Sequence, residues 1–80
     1  MNKEYYKKKI VDLRAAIVKE KEAKKRDAER DSGYIKRASS PSSKASYRKH
    51  KIDHAASHAR RIDSLKHEIE RVKEALKRCK

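Results

Sequence analysis

Residues 38–46 read Ala-Ser-Ser-Pro-Ser-Ser-Lys-Ala-Ser, and the reading of this stretch decides the fold. It holds the chain's one proline, Pro41, set among serines between two segments built from helix-forming residues. Ser40 is suited to cap a helix whose first residue is Pro41, because the N–H that proline lacks would have no partner in a first turn. The stretch therefore stops one helix and starts another.

Upstream, Asn2 is a candidate N-cap and Glu4 sits in the first turn, near the positive end of the helix dipole. Tyr6, Ile10, Leu13 and Ile17 then recur in alternating steps of four and three, the seam spacing of a coiled coil. The same register continues through Glu20, Lys24, Asp27, Asp31, Tyr34 and Ala38, so this seam is charged through its middle. The charged layers at Glu20, Lys24 and Asp27 are expected to fix register or partner choice. Gly33 is read as a kink or a tolerated interior glycine, since YIKRA after it is again helical, with a helix break there as the rival reading. Downstream, the hydrophobic pattern predicts a seam of Ala45, Arg48, Ile52, Ala55, Ala59, Ile62, Leu65, Ile69, Val72, Leu76 and Cys79. Its consecutive steps of three at Ala59–Ile62–Leu65 make a stammer, which overwinds a supercoil locally.

The expected fold is all-α: one antiparallel coiled-coil hairpin, with helix 1 over residues 3–38, a turn at 39–42 and helix 2 over 42–79. Folding about Ser40–Pro41 brings Tyr6 to Leu76, Ile10 to Val72, Leu13 to Ile69, and Ile17 to Leu65 and Ile62. Ile10, Leu13, Ile17, Ile62, Leu65, Ile69, Val72 and Leu76 are accordingly the candidate partner or oligomer seam. Such a pair buries few apolar side chains against the ordering of a whole chain, so oligomerisation or docking on a protein partner is expected.

Composition narrows the function. Charged residues make up 46% of the chain and hydrophobic ones 35%, with no Phe or Trp. A net charge of +13 draws the chain to polyanions and acidic proteins through salt-sensitive forces. From Ser32 to Ile52 no residue is acidic, while Lys36, Arg37, Lys44, Arg48, Lys49 and Lys51 are basic. That tip is the candidate phosphate-binding site of the alternative function, RNA or DNA binding, with Tyr34 and Tyr47 placed to stack on bases.

His50, His54 and His58 recur at every fourth position beside Asp53. Helical histidines at this spacing can ligate zinc with help from Asp27 or Asp31, but a site needs three or four convergent ligands. The expectation is an exposed polar stripe, with no metal and no cofactor. Were the stripe in the seam, its charging would remove helicity at pH 5 and not at pH 8. Cys79, the only cysteine, has no base in a nucleophilic arrangement and suits a reducing compartment. No Gly-rich phosphate loop, paired-carboxylate pocket or CxxC occurs, so no enzyme and no small-molecule substrate are expected. No apolar run has membrane-spanning length, the amphipathic stripe is narrow for membrane binding, and cytoplasmic residence is expected.

The segment IKRASSPSSKASYRKHKIDHAASHARRIDSLKHEIERVKEALKR, residues 35–78, resembles a helical-hairpin module of some bacterial proteins. In those proteins Toll/interleukin-receptor-like or related effector domains follow the hairpin, often in phage defence. Ser39-Ser40-Pro41-Ser42, Lys44 and the Lys/Arg/Ile periodicity after them carry the resemblance, over about half of the chain. Several positions where the module tends to carry Gln are His or Arg here. The resemblance implies a bacterial cytoplasmic assembly module that acts on a separate effector chain.

Overall fold

The computed structural model describes residues 2–79, which form two α-helices and no strand. Helix α1 spans Lys3–Arg37 and α2 spans Pro41–Arg78. They lie side by side and antiparallel in a rod measuring 63 × 14 × 11 Å between its outermost Cα atoms. The all-α hairpin expected from the sequence is the fold observed.

Each helix starts on a side-chain cap. Asn2 Oδ1 accepts the Tyr5 N–H at 3.0 Å. Ser40 Oγ accepts the Ser43 N–H at 3.1 Å, with Pro41 opening α2. Ala38 leaves α1 in an extended conformation, and Ser40 enters α2 in another. The reversal thus needs no left-handed residue, and no described residue has a positive φ. Basic residues close both helices, Lys36 and Arg37 on α1 and Lys77 and Arg78 on α2, where they meet the negative end of the dipole. Cys79 caps α2 with its N–H to the Leu76 carbonyl, half-buried beside the last turn.

The dry core occupies the half of the rod nearer the termini. Ile10, Ile17, Ile62, Ile69 and Val72 are buried there, and Tyr6, Leu13, Leu65 and Leu76 pack against them. All eight residues of the sequence-derived seam lie in this cluster. β-Branched and leucine side chains at a and d spacing bury a narrow stripe and leave the rest of each helix to solvent.

In the other half, the seam of α2 differs from the expected one. Ala45, Arg48, Ile52 and Ala59 are exposed, and Ala55 is half-buried at the edge. Tyr47, Lys51, His54 and His58 face α1 in their place, and His58 is only 7% exposed. The stammer disappears with the change. His54–His58–Ile62 instead take two steps of four, which unwind a supercoil locally. The cause lies on α1, whose Glu20, Asp27 and Asp31 face this region: carboxylates leaving water need hydrogen-bond donors, and histidines supply them where isoleucine and alanine cannot.

α1 runs through Gly33 without a break. A Cβ built on Gly33 would meet only the Arg37 guanidinium, at 3.6 Å, an ordinary contact. Gly33→Ala should therefore raise stability by about 0.5–1 kcal/mol. Thermal unfolding followed by circular dichroism reads this as a higher midpoint; a lower one would show that the glycine is required.

Candidate functional site

His58 joins the helices through both of its ring nitrogens. Nδ1 lies 2.5 Å from Glu20 Oε1, and Nε2 lies 2.6 Å from Asp27 Oδ2. Two carboxylates on opposite edges of one imidazole require an N–H at each, so the arrangement calls for the doubly protonated cation. The pKa directions agree. Hydrogen bonds to Asp27 and then Glu20 hold the His58 pKa above its ordinary 6.5. The bond to His58 is the leading cause that lowers Glu20 and Asp27 below their ordinary values, with Arg61 also lowering Glu20 and Arg30 also lowering Asp27.

The cluster extends to either side of this clamp. Arg61 donates to Glu20 Oε1 at 3.0 Å, and Arg30 lies 3.2 Å from Asp27 and 3.8 Å from Asp31. Asp31, 4% exposed, takes the Nδ1 of His54 at 2.7 Å, and Lys51 donates to Ser32 Oγ at 2.8 Å. With His58 charged, Glu20, Asp27 and Asp31 are balanced by His58, Arg30 and Arg61. No buried side-chain nitrogen or oxygen among the described residues lacks a hydrogen-bond partner. Lys24, half-buried within the same stretch, makes no ion pair among the described residues.

These contacts correct the expected exposed histidine stripe. His58 belongs to the seam, His54 is half-buried against Asp31, and only His50 is exposed. Glu20 and Asp27 occupy both nitrogens of His58 as hydrogen-bond acceptors, so the imidazole has no lone pair to give a metal. Among the described residues, no group of three His, Cys, Asp or Glu side chains is arranged to hold a metal ion.

The tip holds a second arrangement. Tyr34 and Tyr47 stack across the helices, with centroids 5.4 Å apart and planes 22° from parallel. The Arg37 guanidinium lies 5.5 Å from the centre of the Tyr34 ring. His50 meets Tyr47 edge-on with ring centres 6.5 Å apart, and the His54 ring lies tilted 37° from that of His50 at 6.3 Å. The tyrosines expected to receive bases thus have each other and Arg37 as partners. Lys36, Arg37, Arg48 and Lys49 are exposed, and Lys44 and Lys51 half-buried. Of these, Arg37 lies against the Tyr34 ring and Lys51 donates to Ser32 Oγ.

The clamp was missed because its members look unremarkable singly. The signal was the set of three carboxylates in the α1 seam, Glu20, Asp27 and Asp31, which needed donors opposite. His54 and His58 stand at the matching heights once the chain is folded about Pro41.

No protein family, curated protein or solved structure matches the chain. No helix among the described residues is long and apolar enough to cross a membrane.

The sign of the pH response follows from the clamp. A raised His58 pKa gives stability that is complete below the unfolded value of 6.5 and is lost as pH rises through the folded value. The lowered Glu20 and Asp27 add stability above their unfolded values of 4.5 and 3.8, lost as pH falls through the folded ones. Stability should therefore be greatest between the unfolded values of Glu20 and His58, 4.5 and 6.5, and decline as pH rises through the folded value of His58, the reverse of the acid loss expected for a charging stripe. Unfolding midpoints from acid to alkaline pH test this, and Glu20→Gln/Asp27→Asn should flatten the alkaline decline. A native midpoint that keeps rising as pH is raised above 6.5 would contradict the clamp.

Proposed function

We propose that the chain is a non-enzymatic coiled-coil hairpin that recruits a partner protein. One observation carries the reading: the hairpin does not consume its own apolar surface. Tyr5, Val11, Val18, Tyr34 and Ile52 stay exposed, as many large hydrophobic residues as the core buries. A short rod with a half-ionic seam gains from a partner that covers more of this surface. Its buried polar groups are committed to one another, which suits a structural role for the clamp over a chemical one. The likeness of residues 35–78 to the hairpin module of bacterial defence proteins supports an assembly element acting on a separate effector chain in the cytoplasm.

The test is proximity crosslinking of the full chain in its native cell at a benzophenone placed at Ser57 or Val11, with recovery of the same protein from independent preparations. Recovery of one partner is expected, with the adduct absent when the irradiation is carried out in high salt. Exclusive recovery of nucleic acid would overturn the reading.

The acid-free stretch from Ser32 to Ile52 favours a second reading, a nucleic-acid-binding tip. Because Tyr34 and Tyr47 are stacked on each other, this tip would meet phosphates and not unstacked bases. Lys44→Glu/Lys49→Glu should then weaken duplex binding and reduce the salt slope by about 0.9 for each phosphate no longer neutralised. Affinity unchanged by that variant would remove this reading.

A further inference from the structure

The two flanks of the hairpin differ in chemistry, and the difference follows from the heptad positions. With Ile10 and Ile17 at a and Leu13 at d, Lys9 and Ala16 fall at g, while Lys7, Arg14 and Lys21 fall at e. On α2, with Leu65 at d and Ile69 at a, Arg61 and Glu68 fall at g and Lys66 and Lys73 at e. An antiparallel pair brings both g rows to one flank and both e rows to the other.

The g flank pairs across the helices. Lys9 meets Glu68 at 3.7 Å, and Arg61 meets Glu20 at 3.0 Å. The e flank sets like charges together, with Arg14 and Lys66 at matching heights and Lys7 and Lys73 nearer the termini. Arg14, Lys21 and Lys66 are exposed and make no ion pair among the described residues, where Lys7 and Lys73 have only Glu4 and Glu70 of their own helices, at 3.9 and 3.5 Å. Glu22, Glu29 and Asp63 stand at the outer edges of this flank.

Val11 and Val18 interleave with these cations on α1. Lys7, Val11, Arg14, Val18, Lys21 and Lys25 recur in steps of four and three, the spacing of a second coiled-coil seam. The seam is about 27 Å long at 1.5 Å per residue. Val11 is 62% exposed and Val18 55%, so α2 does not cover it.

We propose that this b/e seam of α1 is a docking site for an acidic amphipathic helix of a partner protein. Carboxylates at that helix's heptad positions meet Lys7, Arg14 and Lys21, and its apolar residues meet Val11 and Val18. Such a helix relieves the like-charge crowding of the e flank, which the pairs of Lys7 with Glu4 and Lys73 with Glu70 offset only at their own positions. A polyphosphate would pair with the cations and leave the valines idle. A second copy of the chain carries the same net +13 and is repelled.

The inference rests on the partner-recruiting reading and names the surface and the partner's chemistry. Its test is fluorescence anisotropy with the full chain and a synthetic three-heptad peptide bearing Leu at a and d and Glu at e and g. Val11→Ser/Val18→Ser and Arg14→Glu/Lys21→Glu should each weaken binding at least about tenfold. The substituted positions are exposed, and circular dichroism checks that both variants keep native helicity. Lys44→Glu/Lys49→Glu, at the tip, should leave binding unchanged. A peptide with Ser in place of Leu should bind at least about tenfold more weakly than the probe.

Equal binding of the Leu and Ser peptides, or no effect of the valine pair, would overturn the seam. So would tighter capture of a 20-base-pair RNA duplex by Arg14 and Lys21, or a valine-dependent dimer in sedimentation. A crosslinked native partner that maps to another surface would end this inference alone, whereas exclusive recovery of nucleic acid would end the recruiting reading as well.

Discussion

Glu20 holds one edge of the His58 imidazole and Asp27 the other, and the axial alignment of the two helices depends on that clamp. A seam of Ile, Leu and Val has little preference among registers one heptad apart, because each apolar side chain finds a similar neighbour after a slip. A buried imidazolium between two carboxylates has no such freedom. Sliding α2 by a heptad would put Leu65, which has no donor, in the place of His58 in one direction, and in the other Lys51, whose flexible ammonium lacks the two fixed, opposed N–H groups of the imidazole. The dry half supplies most of the burial, and the ionic half says where it is placed.

The clamp also shapes the surface. It draws Glu20, Asp27 and Asp31 inward, and the g flank uses Glu68 against Lys9. Carboxylates committed in this way do not offset the lysines and arginines of the e flank. The cationic character of that flank is thus partly a consequence of how the seam is satisfied. The same reasoning accounts for the tip, where no acid is present and the aromatic and guanidinium groups pack on one another.

Much of the fold was legible in local sequence. Asn2, Ser40 and Pro41 mark the helix starts because caps and proline act within one turn, so no distant contact is needed to read them. The α1 seam, including its charged layers, and the aliphatic half of α2 from Ile62 to Leu76 are likewise set by spacing alone. Gly33 sits inside a continuous α1 as a tolerated interior glycine, because a lone glycine inside a long helix costs too little to break it when both sides are held by the partner helix.

The sequence by itself determined that there are two helices, where they turn, and which aliphatic residues bring them together, because caps, proline and heptads are local or periodic signals. Only the tertiary structure decided which stripe of α2 faces α1 between Tyr47 and His58. Two stripes competed there. Ala45, Ile52 and Ala59 were the more hydrophobic, and His54 and His58 the more polar. Hydrophobicity read along one helix favours the first. The carboxylates waiting on the other helix favour the second, since a buried acid without a donor loses more free energy than an exposed isoleucine. That choice buried His58, left Ile52 outside at 68% exposure, and separated a charge-paired flank from a cationic one.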